Sequence, residues 1–193
     1  MELRIAYYCV ETGVLGPGRR FILYLQGCPF RCPGCCSPEW RDPRGGILLK
    51  ISEIISLMKN EEPLNGLTVS GGEPLYQAVP LKALLSRVRK EFLSWDIIVF
   101  TGYRYENLDE NLKSVLELAD LAVCGPFVVE EFTSYGLRGS KNQEFVYITN
   151  RLLEHRKEIE KGGRKNKTQL VEDGLLFVGI PILPDLYFSG DEG

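Results

Sequence analysis

The chain has 193 residues, 44% of them hydrophobic and 25% charged, with a formal net charge of −3, the balance of one ordinary globular domain. That charge excludes bulk attraction to nucleic acid or to an anionic membrane surface. No apolar run approaches the ~20 residues of a membrane span, and Glu2 and Arg4 stand where a signal peptide would build its apolar core, so a cytoplasmic protein is expected.

Six cysteines must be explained in that compartment, where thiols stay reduced and a disulfide framework is not expected. Cys28, Cys32, Cys35 and Cys36 fall within nine residues, whereas Cys9 and Cys124 stand alone. The cluster points to metal or redox chemistry; the two isolated thiols are expected to pack as small buried apolar groups.

In chain order, residues 21–26 form the first apolar run rich in β-branched and aromatic residues, a strand. Gly27-Cys28-Pro29-Phe30-Arg31-Cys32-Pro33-Gly34-Cys35-Cys36 follows directly. Two prolines forbid a regular helix or strand here, so the segment is a loop that can wrap a metal and aim its sulfurs inward. Ile51, Ile54, Ile55 and Met58 then repeat at helix spacing. Strand 67–70 runs into Ser70-Gly71-Gly72-Glu73-Pro74, a turn whose glycines let a ligand approach the backbone. A branched side chain at Gly72 is therefore expected to block a ligand while sparing the cysteine loop. Leu81, Leu84, Leu85 and Val88 mark a second helix, 96–101 a strand ending in Thr101-Gly102, and Leu108, Leu112, Val115 and Leu116 a third helix.

Strand 121–124 comes next. Arg138-Gly139-Ser140-Lys141-Asn142-Gln143 leads into strand 144–148; its two amides either orient a ligand or stabilise a turn. A fourth helix is expected over residues 151–160, and the basic stretch 161–167 reads as a solvated connection. His155, the only histidine, reads as a surface or capping residue. A last strand covers 175–180, and 189–193 should fray. Most strands lack strict alternation, as in parallel strands covered on both faces, and strand–helix–strand units imply right-handed crossovers. The expected architecture is a single α/β domain over residues 1–193, with about six parallel strands and the site at their C-terminal rim.

Ligand number separates the possible metals. A structural zinc site takes four ligands, usually as two pairs, and no second Cys-x-x-Cys pair occurs. Three thiolates at Cys28, Cys32 and Cys35 would leave one iron of a [4Fe–4S] cluster open to an exogenous ligand.

Taken with their surroundings, these motifs resemble the radical S-adenosylmethionine superfamily. The Cys-x-x-x-Cys-x-x-Cys loop, Gly16-Pro17-Gly18-Arg19, Trp40, Ser70-Gly71-Gly72-Glu73-Pro74-Leu75, Thr101-Gly102-Tyr103 and Arg138–Gln143 occur in an order similar to that of the activating proteins of anaerobic ribonucleotide reductases. The resemblance to other glycyl-radical-enzyme activases is more distant. It covers residues 12–148; the tail 149–193 inherits nothing from it. It implies a partial (β/α)6 barrel of mostly parallel strands, a [4Fe–4S] cluster on Cys28, Cys32 and Cys35, and S-adenosylmethionine bound at the open iron. Reductive cleavage would yield a 5′-deoxyadenosyl radical. The resemblance places Gly34, Cys36, Ser70, Gly71, Gly72, Glu73 and Thr101 around that cofactor, with Gly-Gly-Glu holding its ammonium group. It further implies a glycyl radical enzyme as protein substrate and reduced flavodoxin or ferredoxin as electron donor. The alternative is a stand-alone radical enzyme acting on a small molecule or peptide, with the strand at 175–180 reshaping the pocket and residues 177–184 capping it.

Overall fold

The computed structural model describes residues 1–61, 63–171 and 174–181. Its centre is a seven-stranded sheet of β1 (Glu2–Thr12), β2 (Arg19–Leu25), β3 (Ile47–Lys50), β4 (Gly66–Gly71), β5 (Asp96–Thr101), β6 (Leu121–Cys124) and β7 (Glu144–Tyr147), in the order β3-β1-β2-β4-β5-β6-β7. The four central strands β2, β4, β5 and β6 run parallel. On either side the sheet turns antiparallel, at β1 and β3 and at β7. A mixed α/β fold with a mostly parallel centre is thus present, but four strands are parallel where about six were expected, and the described strands close no barrel.

The departures have local causes. Parallel neighbours require a long crossover, which α1 (Ile51–Asn60), α2 (Ala78–Glu91) and α3 (Glu110–Leu116) supply between the strands they separate. Between β6 and β7 the chain makes only one short 3-10 turn at Val129–Glu131, so it returns antiparallel. The run at 175–180 appears as β9 (Gly174–Val178), paired antiparallel with β8 (Lys167–Val171) in a separate two-stranded sheet. The expected fourth helix is split into a 3-10 turn, Leu153–His155, and α4 (Arg156–Lys161). The stretch 189–193 lies outside the described residues.

The two faces of the sheet carry different cover. Phe21, Leu23 and Leu25 of β2, Ile97 and Val99 of β5, and Ala122 and Cys124 of β6 point to one side, where they bury the apolar stripes of α1 and α2 and the end of α3. The alternate residues point the other way. Ile22 and Tyr24 meet Leu15 and Val178, and Ile98, Leu121 and Val123 meet Leu152 and Ile159. With α1–α3 on one face, the opposite face takes α4, loops and the hairpin β8–β9.

Buried ions fasten the N-terminal ends of the parallel strands. Arg20, with no exposed surface, pairs with Asp96 at 2.6 Å and donates to Thr68 Oγ1 at 2.7 Å and to the carbonyl of Leu67 at 2.9 Å. The Gly16-Pro17-Gly18 loop wraps this guanidinium; a Cβ on Gly16 would stand 2.9 Å from the Arg20 side chain. Asp120, equally buried, takes Arg89 at 2.7 Å and the Ile97 amide at 2.7 Å. Cys9 and Cys124 are buried as expected. Among the described residues no helix is long and apolar enough to cross a membrane.

Candidate functional site

The C-terminal ends of β2, β4, β5 and β6 open onto one cavity of about 370 Å³ on the face away from α1–α3. Its wall contains Cys28, Cys32, Gly34, Cys35 and Cys36 from the loop after β2. Ser70, Gly71, Gly72 and Glu73 enter from β4, and Thr101 and Gly102 from β5. All the residues expected at the site therefore line a single space.

The cysteine loop is held at its base and at its middle. Leaving β2, Gly27 N–H donates to the Trp40 carbonyl at 2.8 Å and Cys28 N–H to that of Arg41 at 3.1 Å. The 3-10 turn Pro38–Arg41 thereby closes the loop back on its own start. Arg41 Nη2 reaches the Cys32 carbonyl at 3.2 Å, and Trp40 packs on Tyr24 with ring centroids 4.9 Å apart. Gly34 adopts φ 69°, a left-handed turn that brings Cys35 back toward the cavity. Between the first two cysteines, Phe30 packs edge-on against Tyr103 at 4.9 Å. Its ring occupies the place a side chain on Gly102 would need, 2.7 Å from the position of that Cβ. Gly102 is thus a seat for the loop.

Glu73 joins the strand ends. Its side chain is 1% exposed. Oε1 accepts from Leu75 N–H and Thr101 Oγ1, each at 2.8 Å, and Oε2 accepts from Gly102 N–H at 2.7 Å. Burial pushes its carboxyl up to about 7, against the pull of those three donors. A carboxylate has roughly four acceptor positions, and these donors take three of them. Glu73 N–H also donates to the Gly27 carbonyl at 2.8 Å. At Gly72 the expectation is corrected: a Cβ there would run into the backbone carbonyls of Gly27 and Trp40. Gly72 is a close-approach residue at the base of the cysteine loop, and a branched substitution would displace that loop as well as block a ligand.

The amides of the 138–143 turn are mostly engaged in structure. Gln143 Oε1 accepts from Gly139 N–H at 2.7 Å, its Nε2 donates to the Gly125 carbonyl at 2.9 Å, and Asn142 Nδ2 donates to the Pro126 carbonyl at 2.8 Å. They fix the loop that brings Phe127 and Gly139 to the cavity. His155 stands near Glu154 and Glu158, away from the cavity wall.

Sequence reasoning passed over the aromatic part of the wall, Tyr24, Phe100, Phe127 and Phe132, whereas Leu176, Phe177, Gly179, Ile180 and Pro181 line the cavity where the last strand was expected to reshape it. Tyr24 and Phe100 read in sequence only as strand interior. The alternation that puts Phe21, Leu23 and Leu25 on the helix face assigns Tyr24 to the other one, and was the signal available.

The donor set fits an iron–sulfur cluster. Cys28, Cys32 and Cys35 are free, half-buried thiols on the cavity wall. Burial raises the thiols of Cys28 and Cys32, so thiolates there call for a bound cation, which deprotonates its thiol ligands outright. Among the described residues no three or more His, Cys, Asp or Glu side chains are set to hold a single metal ion.

Comparison with known proteins agrees with this chemistry. The profile of the 4Fe-4S single cluster domain family matches residues 14–146. The anaerobic ribonucleoside-triphosphate reductase-activating protein of Escherichia coli K12 is 38% identical over 144 residues, which cover 71% of this chain and 93% of that protein. Its counterpart in enterobacteria phage T4 is 30% identical over 146 residues, covering 74% of this chain and 92% of the relative. The pyruvate formate-lyase-activating enzyme of Clostridium pasteurianum is 32% identical over 130 residues, 64% of this chain and 54% of that enzyme.

Proposed function

This chain belongs to the 4Fe-4S single cluster domain family, among the glycyl-radical activases of the radical S-adenosylmethionine type, and from that premise we propose that it generates a glycyl radical on a partner enzyme, the anaerobic ribonucleotide reductase being the first candidate. Cys28, Cys32 and Cys35 would hold the [4Fe–4S] cluster with one iron left open. When bound and reduced, the cluster supplies the electron that splits S-adenosylmethionine into methionine and a hydrogen-abstracting 5′-deoxyadenosyl radical.

The chain's own residues bind and orient. Gly71 and Gly72 keep the β4 end free of side chains. The remaining acceptor of Glu73 takes the ammonium group of S-adenosylmethionine, while Thr101 fixes that carboxylate and Ser70 lines the cavity beside the glycines. Gly34 and Cys36 offer backbone contacts to the adenine side. Tyr24, Trp40 and Phe100 exclude water from the inner wall. One observation carries the assignment: the three cysteines and the Gly-Gly-Glu turn, forty residues apart in sequence, line one cavity.

We read the fold as a partial (β/α) barrel of the radical S-adenosylmethionine type, with α1–α3 outside and the cavity inside, in one domain over residues 1–193. Residues 12–148 carry the chemistry, and Leu176, Phe177, Gly179, Ile180 and Pro181 beyond them add to the cavity wall. Reduced flavodoxin or ferredoxin is the proposed electron donor, in the cytoplasm.

A stand-alone enzyme acting on a small molecule or peptide is the second reading, favoured by the walling of the cavity by the segment from Leu176 to Pro181. Residues 182–184, also expected to bear on that closure, lie outside the described residues. Incubating the reduced, cluster-loaded protein with S-adenosylmethionine and the reductase discriminates between the two. Activation gives a stable doublet radical on the reductase, with deoxyadenosine formed in proportion. Deoxyadenosine without any radical on the protein supports the second reading.

A further inference from the structure

Resting on that reading of the site, we propose that the hairpin β8–β9, locked in place by Arg164, is the cavity wall that selects the partner's glycine-bearing polypeptide loop. The cavity has two sides of different origin. Its cysteine, Gly-Gly-Glu and Thr101 side lies within residues 14–146, the part shared with the family. Leu176, Ile180 and Pro181 come from beyond it. A wall outside the shared region is not required for the shared chemistry; it contributes what is particular to this chain.

The hairpin is anchored at two places. Glu11 of β1, 4% exposed, accepts from Lys167 Nζ at 2.8 Å and from Gln169 Nε2 at 2.6 Å, and Tyr7 donates to Gln169 Oε1 at 3.1 Å. Just beyond the hairpin's open end Arg164 works as a fork. It donates to the carbonyls of Thr133 at 2.5 Å, Gly136 at 3.0 Å, Arg138 and Pro181, and its guanidinium lies over the Phe132 ring at 5.9 Å. Phe132, Gly139 and Pro181 are all wall residues, so Arg164 stands behind the wall and staples the two segments that meet there. Among the described residues it has no carboxylate partner, and its burial lowers its pKa to about 10. A rigid multi-donor guanidinium can join two segments through their carbonyls; a lysine ammonium, a single point on a flexible stem, cannot reproduce that.

The chemistry of the wall names the occupant. Among the described residues, every charged one lining the cavity, Glu39, Arg41 and Glu73, is on the cysteine and Gly-Gly-Glu side. The hairpin side and the facing loop present Leu176, Ile180, Pro181, Phe127 and Phe132, with backbone at Gly125 and Gly179. Among the described residues of that side, a phosphorylated or carboxylated metabolite would find no cation. An uncharged polypeptide segment with apolar side chains beside its glycine finds apolar surface and peptide groups.

The test uses the full chain with its cluster, the anaerobic ribonucleotide reductase as probe, and the variants Arg164→Gln, Arg164→Lys and Ile180→Asp. Iron content, deoxyadenosine yield and the reductase concentration giving half-maximal glycyl radical are measured together. All three variants should keep their iron and raise that half-saturating concentration about tenfold or more, and Arg164→Lys should not rescue. Ile180→Asp leaves the clasp intact, so its effect does not depend on Arg164. An unchanged half-saturating concentration in the variants overturns this inference alone. So does a loss of iron and deoxyadenosine without a change in that concentration, which marks a structural role. A wild-type protein that makes deoxyadenosine but no radical on the reductase overturns the preceding reading, and this one with it.

Discussion

Glu73 illustrates how one buried side chain can serve both the scaffold and a ligand. Three donors fix its oxygens, yet burial holds its carboxyl at about 7, so near neutrality it is only partly ionised. A cationic ligand at its free acceptor favours the ionised form. Affinity for S-adenosylmethionine should therefore rise with pH up to about 7 and level off above it, falling close to tenfold per unit below, because each proton must be displaced before the ammonium binds. Calorimetric titration of the cluster-loaded protein from pH 5.5 to 8.5 measures this, and Glu73→Gln should weaken binding at least tenfold and flatten the profile. A wild-type profile without slope would remove Glu73 from the ammonium site. The type and spacing of this residue were legible in sequence. What sequence could not convey was that Gly72 beside it approaches the backbone of Gly27 and Trp40, because that contact joins the ends of two strands through a loop that folds back on itself.

The elements divide in the same way. β5 and β6 have the bounds their apolar runs suggest, and α1 and α2 bury the residues their periodicity selects, since period and burial are local properties of sequence. β1, β3 and β8 were missed, the last because the basic stretch 161–167 read as a solvated connection, although Arg164 bonds to the Gly136 carbonyl and Lys167 to Glu11. β1 carries a register shift between Ile5 and Tyr7 that breaks its alternation, and β3 is an edge strand with Ile47 and Leu48 about half exposed, running straight into α1. Strand direction at β7 was also missed, because it depends on what the connection after β6 does in space. The cysteine loop is the element whose placement matters most, and its seat on β5 is testable. Gly102→Ala puts a methyl group against Phe30 and should unseat the ring from Tyr103, so that a chelator strips iron several-fold faster than from wild type. In a Phe30→Ala background the same change should have no further effect, the signature of two residues sharing one contact. Additive effects would show that Gly102 acts elsewhere.

At the scale of the whole molecule, the C-terminal ends of the parallel strands hold the chemistry and the N-terminal ends hold the fold. Arg20 was passed over in sequence because a charged residue beside a glycine-rich turn reads as surface; its complete burial follows from Gly16, Thr68 and Asp96 meeting around it. Removing one partner of such a pair strands a buried charge, so Arg20→Ala should cost roughly 3–5 kcal/mol, read as a lower urea midpoint. A loss under about 1 kcal/mol would mean that water reaches Asp96 as soon as Arg20 is gone. The account as a whole rests on a three-cysteine cluster with an open iron. Its most direct test is the electron paramagnetic resonance spectrum of the anaerobically reconstituted, reduced protein with and without S-adenosylmethionine, alongside iron and sulfide analysis of each single cysteine variant. The account predicts about four irons and four sulfides per chain, a signal that changes when S-adenosylmethionine is added, loss of both in Cys28→Ala, Cys32→Ala and Cys35→Ala, and an intact cluster in Cys36→Ala. Zinc without sulfide, a cluster that survives loss of any of the three, or a signal indifferent to S-adenosylmethionine would contradict it.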